Sequence, residues 1–376
     1  MKIPFNKPHF TGKETYHVAA AGASGKISGN GIFTGKCHDF FTRRYGFGKV
    51  LLTTSCTDAL EMTALLARIQ PGDEVIMPSF TFVSTANAFV LRGARIVFAD
   101  SSPFNPNIDA SKLEYLITAQ TKAIVVVHYA GIACDMDKVM ELAGRYNLLV
   151  IEDAAHAIDS FYKDRPLGSI GHMAAFSFHE TKNLSCGEGG MMVVNDMSFA
   201  PRSEIIWEKG TNRAAFYRGE IDKYGWVDIG SSFLPSELSA AYLLGQLDML
   251  DDIQQKRKGI FDTYRALLEP LNQAGFLQLP AIPDYASHNG HLFYVVTEAA
   301  SRRNQLIKFL YNHGIHAVFH YLPLHQSEYF KNQYTGLPLP QAEHYADCLL
   351  RLPLYYDLTE QQIETVTNTV IKFYKG

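Results

Sequence analysis

The chain has 376 residues, of which 47% are hydrophobic and 19% are charged, and its formal net charge at pH 7 is −4. This composition supplies enough apolar side chains for a large core and excludes an intrinsically disordered chain. The basic residues form no block, so we expect no nucleic-acid partner. At roughly 150 residues per domain, the length predicts two domains.

The cysteines and the N-terminal residues indicate the compartment. The number of cysteines is odd and none form a C-x-x-C pair, which argues against a disulfide framework or a structural zinc site and is typical of a reducing compartment. The stretch MKIPFNKPHF lacks the apolar segment of a signal peptide, and no run approaches the ~20 apolar residues of a membrane span. We therefore expect a cytoplasmic protein with no membrane contact.

Apolar strands and helices alternate along residues 49–195. The strands are predicted at KVLLTTS, DEVIMPS, ARIVFAD, AIVVVHY, LLVIED and AAFSF, with helical stretches such as TDALEMTALLARI and DMDKVMELAGRYN between them. This alternation predicts an α/β fold with a largely parallel sheet covered on both faces. In such sheets ligands bind beyond the carboxyl ends of the strands. The polar residues predicted there are Ser55, Ser79, His128, Asp153 and Ser177.

The pattern changes after residue 235. Residues 236–271 predict one long helix, which is followed by a strand at HLFYVVTE, a helix at RRNQLIKFLYNHG, a strand at HAVFHY and two terminal helices. This succession indicates a smaller α+β domain attached through the long helix. We place the large domain at residues 1–250 and the small one at residues 251–376.

A phosphate site is suggested where a predicted strand ends at Ser55 and a helix begins near Thr57. The start of a helix offers free N–H groups and the positive end of a dipole. The alternative is ordinary capping of that helix by a hydroxyl. The His-x-x-His spacing of HNGHLF has no third ligand nearby, so we predict no metal site.

Asp153 and His156 follow a fully apolar strand in IEDAAH. A carboxylate in such a setting needs a partner or a function. The alternative is that Asp153 caps the next helix. His156 points to a similar region if the chain turns helically there.

Lys182 lies in the polar turn of FSFHETKN, between two predicted strands. Position alone favours a solvated lysine on a loop. However, a helix start, a buried carboxylate, a hydroxyl and a lysine are together the parts that pyridoxal 5'-phosphate requires. Phe82, beyond another strand, is a candidate to cover the ring of the cofactor, and its alternative role is core packing.

The sequence resembles the DegT–StrS family of sugar aminotransferases, which share the fold type I scaffold of aspartate aminotransferase. Eight blocks in family order carry the resemblance over nearly the whole chain: TSCTDALEM, PGDEVIMPSFTFVSTANA, VVVHYAG, VIEDAAHA, FSFHETKN with GEGG, HLFYV, FHYLPLH and RLPLYY. Within the family, FSFHETKN, GTNR and FHYLPLH are most similar to the TDP-4-keto-6-deoxyglucose 4-aminotransferases. The resemblance implies a large pyridoxal-phosphate-binding domain with a mixed, mostly parallel sheet and a smaller C-terminal α+β domain.

The resemblance also implies roles by position. Lys182 matches the lysine that bonds to the cofactor, Asp153 the partner of its pyridine nitrogen, and His156 the residue at its ring hydroxyl. The remaining implied cofactor contacts are Cys56, Thr57 and Ser177 at the phosphate and Phe82 over the ring.

One departure from the family pattern concerns the partner subunit. Many members place an asparagine of the other subunit on the phosphate, whereas Leu234 stands at about that position in GSSFLPSEL. We expect Ser231 or Ser232 to replace it. The acidic side chain of Asp58 is expected to point away from the phosphate, with only its backbone N–H directed towards it.

The function implied by the resemblance is transfer of an amino group from L-glutamate to TDP-4-keto-6-deoxyglucose, giving TDP-4-amino-4,6-dideoxygalactose for a surface glycan such as O-antigen or enterobacterial common antigen. A homodimer with shared active sites is implied as well. Weaker candidates for contacts with the nucleotide sugar are Gly29, Gly31, Arg213, His320, Tyr321 and His325. The alternatives are a sugar 3-aminotransferase, a glucose-configured 4-amino product, or a regulatory protein that binds pyridoxal phosphate without turnover.

Overall fold

The structure is a computed structural model that describes residues 2–375. Its strands are β1 Lys49–Thr53, β2 Glu74–Pro78, β3 Arg95–Ala99, β4 Thr121–Val127, β5 Leu149–Asp153, β6 Phe161–Tyr162, β7 Arg165–Pro166, β8 Met173–Ser177, β9 Gly190–Val194, β10 Leu277–Gln278, β11 Phe293–Thr297, β12 Val318–Phe319 and β13 Leu349–Leu352. Its α-helices are α1 Lys13–Ala23, α2 Ile32–Tyr45, α3 Cys56–Leu66, α4 Val83–Val90, α5 Met136–Tyr146, α6 Ala200–Trp207, α7 Arg213–Tyr217, α8 Glu237–Leu247, α9 Leu250–Gln273, α10 Ala300–Asn312, α11 Pro340–Cys348 and α12 Glu360–Lys375.

The largest sheet has seven strands in the order β1-β9-β8-β5-β4-β2-β3. β9 pairs antiparallel with both of its neighbours, and the other adjacent pairs are parallel. Six of the seven strands therefore run in one direction and end at the same edge of the sheet. The predicted α/β class with a mixed, mostly parallel sheet is confirmed.

Helices cover both faces of this sheet. On one face, Phe41 of α2, Leu142 of α5 and Leu243 of α8 belong to one buried cluster. On the other face, Met62 of α3 and Trp207 of α6 belong to a second cluster. Because the inner strands are buried on both sides, their sequences are continuous apolar runs, and helix packing leaves only their ends free to carry polar side chains.

A second sheet of four antiparallel strands, in the order β10-β11-β13-β12, forms most of the C-terminal part. Phe261 of α9, Leu306 of α10 and Val366 of α12 fill its core. Ile3 belongs to the same core and forms an isolated bridge with Ile315, so the smaller unit also includes the start of the chain. The division at residue 250 stays a prediction.

Two elements differ from the sequence prediction. The single helix predicted over residues 236–271 is wrong: α8 and α9 are separate because Met249 leaves the helical conformation, with φ −120° and ψ 14°. The strand β13 follows α11 directly, without a glycine or proline between them, and the sequence pattern did not reveal it. None of the helices within residues 2–375 has the length and apolar character that crossing a membrane requires.

Candidate active site

The shared edge of the large sheet gathers the residues that the sequence analysis singled out. Asp153 is the last residue of β5 and Ser177 is the last residue of β8, while Cys56 begins α3 three residues after β1 ends. Lys182 lies in the connection between β8 and β9. The parallel direction of β1, β5 and β8 therefore places these groups at one edge.

The start of α3 presents backbone N–H groups. Ser55 caps the helix by accepting a 3.0 Å hydrogen bond from the Asp58 N–H. The N–H groups of Cys56 and Thr57 donate to no backbone carbonyl within residues 2–375, as expected for the first turn of a helix. The Asp58 carboxylate accepts a hydrogen bond from the Thr54 hydroxyl, so the negative charge is turned away from the helix start. The Asp58 N–H donates to the capping Ser55 hydroxyl, so the prediction that this N–H binds the phosphate is wrong.

Gly190 permits the close approach of β9 to this helix start. A Cβ atom at residue 190 would lie 2.3 Å from the carbonyl group of Ser55 and 2.4 Å from the nitrogen of Cys56. Those distances are far below van der Waals contact, so any larger residue would displace the helix start. The glycine therefore fixes where the free N–H groups point.

Asp153 is a buried carboxylate with two hydrogen bonds. Its Oδ2 accepts from the Thr85 hydroxyl at 2.7 Å, and its Oδ1 accepts from the Ala155 N–H at 3.2 Å. Burial raises the pKa of Asp153, while both hydrogen bonds and the nearby charge of Lys182 oppose that rise. A buried carboxylate with only these two hydrogen bonds favours a cationic or protonated partner.

Thr85 was not identified from the sequence. It lies on α4, and its hydroxyl is also hydrogen-bonded to Thr81 at 2.8 Å. The helix begins after Phe82, so Thr85 is one turn from that candidate aromatic residue. The three-residue spacing between Phe82 and Thr85 in SFTFVSTANA is the feature of the sequence that could have identified Thr85.

Lys182 has an amine that is free for chemistry. Its backbone N–H donates to the His179 carbonyl at 2.9 Å and closes the turn, but no hydrogen bond or ion pair within residues 2–375 uses its Nζ. Burial, with a smaller effect from the charge of Arg351, lowers the pKa of Lys182 to about 8, although Cys56 and Asp153 act in the opposite direction. About a tenth of the amine is therefore uncharged at pH 7, far more than for an ordinary lysine, and that fraction can act as a nucleophile or proton carrier.

His156 is part of a stack of imidazole rings. Its ring lies 4.2 Å from the ring of His291, nearly parallel to it. The Ala130 N–H donates to Nδ1 of His156 at 3.3 Å, which leaves the ring proton on Nε2. His291 donates from Nδ1 to the side-chain carbonyl of Asn183 at 2.8 Å. Burial lowers the pKa of both histidines well below the usual value, so both rings are neutral.

His320, Tyr321 and Phe82 form an aromatic wall next to this stack. The Tyr129 hydroxyl lies 2.7 Å from Nδ1 of His320, and the His320 ring stacks on Tyr321 with centroids 3.6 Å apart. The ring of Tyr321 is 6.2 Å from that of Phe82, which is 55% exposed. Phe82 is therefore not a core residue, and its face is available to a bound ring.

His325 does not share this arrangement. Its Nδ1 is hydrogen-bonded to the Ser79 hydroxyl at 2.7 Å and its Nε2 lies 3.2 Å from the Glu343 carboxylate. Both ring nitrogens are thus occupied within the chain, and the predicted contact of His325 with the substrate stays a prediction. His128, at the end of β4, is likewise paired with Glu152 at 2.9 Å beneath the site.

The glycines predicted for the substrate have packing contacts. A Cβ at residue 29 would meet Leu234 at 2.4 Å, and the Gly31 N–H donates to Glu237 at 2.9 Å. Glu237 also accepts from the Phe33 N–H at 2.7 Å, so it caps α2. These contacts explain both glycines without a substrate, and their predicted role stays untested.

Arg213 and Ser232 are exposed within one chain. Arg213 donates to the Tyr217 hydroxyl at 2.7 Å, and Ser232 forms an isolated bridge with Glu208. Neither contacts the group formed by Asp153 and Lys182. The neighbouring Phe233 carbonyl accepts from the Thr54 N–H at 2.9 Å, which places this segment beside the exit of β1.

The arrangement can hold an anion at a helix start, keep a proton opposite a buried carboxylate and supply an amine between them. Ser177 adds a hydroxyl that lies 3.4 Å from the His179 nitrogen. Within the described residues, no group of three or more His, Cys, Asp or Glu side chains is arranged to hold a metal ion. The geometry thus suits an organic cofactor that carries a phosphate and a protonated ring nitrogen.

Comparison with known proteins agrees with this geometry. Residues 10–371 match the model of the DegT/DnrJ/EryC1/StrS aminotransferase family. The spore coat polysaccharide biosynthesis protein SpsC of Bacillus subtilis (strain 168) is 34% identical over 383 residues, covering 100% of this chain and 97% of that protein.

Solved structures are similar over the whole length. The aminotransferase TlmJ from Streptoalloteichus hindustanus superimposes with a TM-score of 0.90 at 29% identity, covering 99% of this chain and 98% of that one. The putative sugar aminotransferase Spr1654 from Streptococcus pneumoniae, in its PLP-form, gives a TM-score of 0.89 at 27% identity, covering 99% of this chain and 100% of that one.

Proposed function

The chain belongs to the DegT/DnrJ/EryC1/StrS aminotransferase family, and from that premise we propose that it transfers the amino group of L-glutamate to the C4 ketone of TDP-4-keto-6-deoxyglucose. The coarser part of this statement, a sugar aminotransferase that uses pyridoxal phosphate, follows from the family and from its solved members. The donor, the nucleotide sugar and the galactose configuration of the product are our proposal.

The observation that carries the proposal is the free amine of Lys182 beside the buried Asp153. Asp153 ends β5, and Lys182 follows the end of β8, which pairs in parallel with β5, so the two groups lie at the same edge of the sheet. The cofactor fits here because a ring nitrogen facing Asp153 would satisfy a desolvated carboxylate that has only two hydrogen bonds. The unused N–H groups of Cys56 and Thr57 suit its phosphate.

When bound, the cofactor supplies an aldehyde carbon that accepts an amino group and a ring that draws electrons from the carbon that loses a proton. Asp153 holds the proton on the ring nitrogen. Lys182 takes the proton from Cα of the donor, and a pKa of about 8 suits an amine that must both accept and release protons near neutral pH. The Nε2–H of His156 is available to donate to a ring hydroxyl.

The choice of nucleotide sugar rests on the sequence blocks rather than on the site. The stretches FSFHETKN, GTNR and FHYLPLH resemble those of TDP-4-keto-6-deoxyglucose 4-aminotransferases. The aromatic wall of His320, Tyr321 and Phe82 supports a sugar substrate, because an exposed apolar face beside polar ring nitrogens suits a deoxyhexose.

We also propose a homodimer with shared active sites. Trp226 is 85% exposed, and Val227 and Ile229 beside it are exposed as well. A contiguous apolar surface of this kind marks an interaction site, and two-fold pairing is the commonest way to cover it. Arg213 extends the same surface through its contacts with Tyr217 and Tyr224. Covering this surface with a second copy would bring Arg213 or Ser232 towards the partner's cofactor.

The test is the product formed from TDP-4-keto-6-deoxyglucose and L-glutamate by the purified protein with pyridoxal phosphate. NMR of that product is expected to show the amine on C4 in the axial orientation of the galactose series. The Lys182→Ala protein is the control and should form no product. An equatorial amine would show the alternative glucose-configured product, and an amine on C3 would show a sugar 3-aminotransferase. Bound cofactor without turnover of any keto sugar would indicate a regulatory protein.

A further inference from the structure

The turn HNGH, residues 288–291, precedes β11 and carries two histidines that the proposed reaction does not use. The buried Arg257 holds this turn by donating to the carbonyls of Gly290 and His291 at 3.1 and 2.7 Å. Gly290 has a φ of 60°, and a Cβ atom there would lie 2.6 Å from the Arg257 backbone. The turn is therefore closely packed, and it places the buried His291 ring against the ring of His156.

Stacking on His291 is the closest ring contact of His156. The two centroids are 4.2 Å apart and the planes differ by 27°, whereas the nearly parallel ring of His320 lies 6.0 Å from His156. The only hydrogen bond to the His156 ring within residues 2–375 is the 3.3 Å bond from the Ala130 N–H to Nδ1. A single hydrogen bond leaves a ring free to tilt about it. The face of His291 therefore sets the plane along which the Nε2–H of His156 is directed.

Asn183, which follows Lys182 in the chain, fixes the orientation of the His291 ring. The amide nitrogen of Asn183 donates to the Asn289 carbonyl at 2.9 Å. A backbone carbonyl only accepts, so the side-chain oxygen of Asn183 is the atom that faces His291. Nδ1 of His291 therefore donates to this oxygen, at 2.8 Å. These bonds join the Lys182 turn to the ring that orients His156.

The hydrogen-bond partner of His291 is an amide, which bears on the charge of the ring. A carboxylate in that place would favour the imidazolium, whereas an amide carries no charge that would stabilise it. Burial lowers the pKa of His291 well below its usual value. The titratable groups that face His291 act in the same direction, and they are His156, Lys182, Arg257 and His320. A neutral His291 stacks on the neutral His156 without repulsion.

We propose that His291 is a positioning residue that acts through His156: it holds that ring so that its Nε2–H donates to the ring hydroxyl of the cofactor. The inference rests on the cofactor site of the proposed function, but not on the identity of the sugar. A hydrogen bond weakens steeply once the donor turns away from its acceptor, so a tilt of the His156 ring would lose most of the bond. Because Asn183 is the neighbour of Lys182, the same network keeps the His156 ring aligned with the lysine.

The test measures the visible band of the holoprotein as a function of pH. A donor at the ring hydroxyl stabilises negative charge on that oxygen, and this charge is greatest once the nitrogen that joins Lys182 to the cofactor has lost its proton. Weakening the donor should therefore raise the pH at the midpoint of the spectral change. His291→Asn keeps a donor towards Asn183 and removes the stacked ring. We expect it to raise the midpoint by about half to one pH unit and the Kd for pyridoxal phosphate by about 3- to 10-fold, the range for one neutral hydrogen bond.

Two variants serve as controls. His291→Phe keeps a flat ring over His156 but cannot donate to Asn183, so it should give a smaller rise. His288→Asn changes the other histidine of the same turn, whose ring stacks on Phe261 at 4.1 Å and not on a residue of the site, and it should alter neither value. A midpoint and a Kd in His291→Asn that equal those of the parent would overturn the proposal.

A double-mutant cycle separates positioning from a structural role. His156→Gln retains a donor but has no ring to hold, so adding His291→Asn to it should shift the midpoint no further. A shift of equal size in the parent and in His156→Gln would contradict the proposal, because His291 would then act independently of His156. A lower melting temperature in His291→Asn with an unchanged spectrum would do the same and show a structural residue.

The outcome is separable from that of the proposed function. Both measurements need the cofactor but no sugar, so they stand even if TDP-4-keto-6-deoxyglucose is not aminated. If His291→Asn does not fold, Asn183→Ala decides, because it leaves the imidazole in place and removes the oxygen that orients it. Asn183→Ala with the midpoint and the Kd of the parent would then refute the positioning role.

Discussion

The hydroxyl of Thr85 donates a 2.7 Å hydrogen bond to Oδ2 of Asp153, joining the first turn of α4 to the end of β5. This bond favours the charged carboxylate and opposes the effect of burial. Thr85→Val should therefore raise the pKa of Asp153 and move the acidic limb of the pH–rate profile to higher pH. We expect kcat to fall by about 3- to 30-fold, whereas Asp153→Ala should cost on the order of 10³-fold.

Thr63→Val is the matched control for Thr85, because the buried Thr63 hydroxyl donates only to a carbonyl of its own helix. Its pH–rate profile should coincide with that of the parent. An acidic limb that stays in place in Thr85→Val would contradict the assigned role of the hydroxyl.

The lowered pKa of Lys182 predicts a specific pH dependence of cofactor attachment. In protein stripped of cofactor, only the uncharged amine bonds to an aldehyde, so the rate should rise with pH and level off above about 8. The measurement is the appearance of the visible band after addition of pyridoxal phosphate, with borohydride reduction and mass spectrometry locating the label. A midpoint near 10.5, the ordinary value for lysine, would contradict the burial described for this amine.

Replacing Gly190 should weaken cofactor binding without touching a side chain of the site. A Cβ there would lie 2.3 Å from the backbone of Ser55, so Gly190→Ala must displace the start of α3. We expect the Kd for pyridoxal phosphate to rise at least about 10-fold, consistent with ~1–3 kcal/mol for overpacking. Gly144→Ala, where nothing lies within 4 Å, is the control and should bind normally. Equal affinities in the two variants would show that the helix start is not so tightly fixed.

Assembly can be tested at Trp226. The proposed dimer has a mass of about 84 kDa, twice 42.0 kDa. Trp226→Asp should shift the sedimentation mass towards one chain, because a charge would be buried in an apolar contact. Tyr115→Asp alters a side chain that is 86% exposed, similar to the 85% of Trp226, and should leave the mass unchanged.

Sharing of sites needs a separate experiment with mixed chains. A Lys182→Ala chain and a chain altered at both Arg213 and Ser232 should each be inactive alone. After mixing, dimers with one chain of each kind regain one intact site, so activity should approach about a quarter of that of the parent. No gain on mixing would argue that each site belongs to one chain.

The buried pair of His128 and Glu152 predicts a stability that depends on pH. Nδ1 of His128 accepts from the Cys134 N–H at 3.2 Å, so the ring proton lies on Nε2, which donates to Glu152 at 2.9 Å. Burial raises the pKa of Glu152, but the hydrogen bonds from His128, Gly171 and Gly168 outweigh this effect and hold that pKa below its usual value. The glutamate contribution is present above pH 4.5 and is lost as pH falls through its lowered folded pKa.

His128→Gln should thus be destabilised by about 1.5–3 kcal/mol in urea unfolding at neutral pH, the range for a hydrogen bond to a charged group, and by less as the pH falls below the usual pKa of the glutamate. His172→Gln is the control, because the His172 ring accepts a hydrogen bond from the Val150 N–H and lies near the same strand. A difference between His128→Gln and the parent that is constant down to low pH would contradict the assigned hydrogen bond to a charged Glu152.

The parts of the site that lie on strand ends were predictable from the sequence. Asp153 and Ser177 end continuous apolar runs, and a parallel sheet gathers such ends at one edge. Lys182 was predictable only in combination with them, because its loop carries no distinctive pattern of its own. The resemblance to a family supplied its role.

Contacts between distant segments could not be predicted. Thr85 reaches Asp153 across 68 residues of chain, and Arg351 faces the site only because β13 pairs with β11. The hydrogen bonds of His325 could not be predicted because its partners Ser79 and Glu343 lie on other segments. The break at Met249 was missed because the apolar periodicity continues through it without a glycine or proline.

The single antiparallel strand of the large sheet has a consequence for the order of folding. Among the described residues, β1 lies at the edge of the sheet and pairs only with β9. Lys49 can therefore pair only after Val194, 145 residues later in the chain (194 − 49), has been synthesised. Closing so long a loop is slow relative to local contacts. The pairing of β1 with β9 also brings the start of α3, which follows β1, next to the connection that carries Lys182, which precedes β9. On the ribosome, the pocket is therefore completed among the last events of the large unit, and a nascent chain that stops before β9 has emerged has no assembled site for the cofactor.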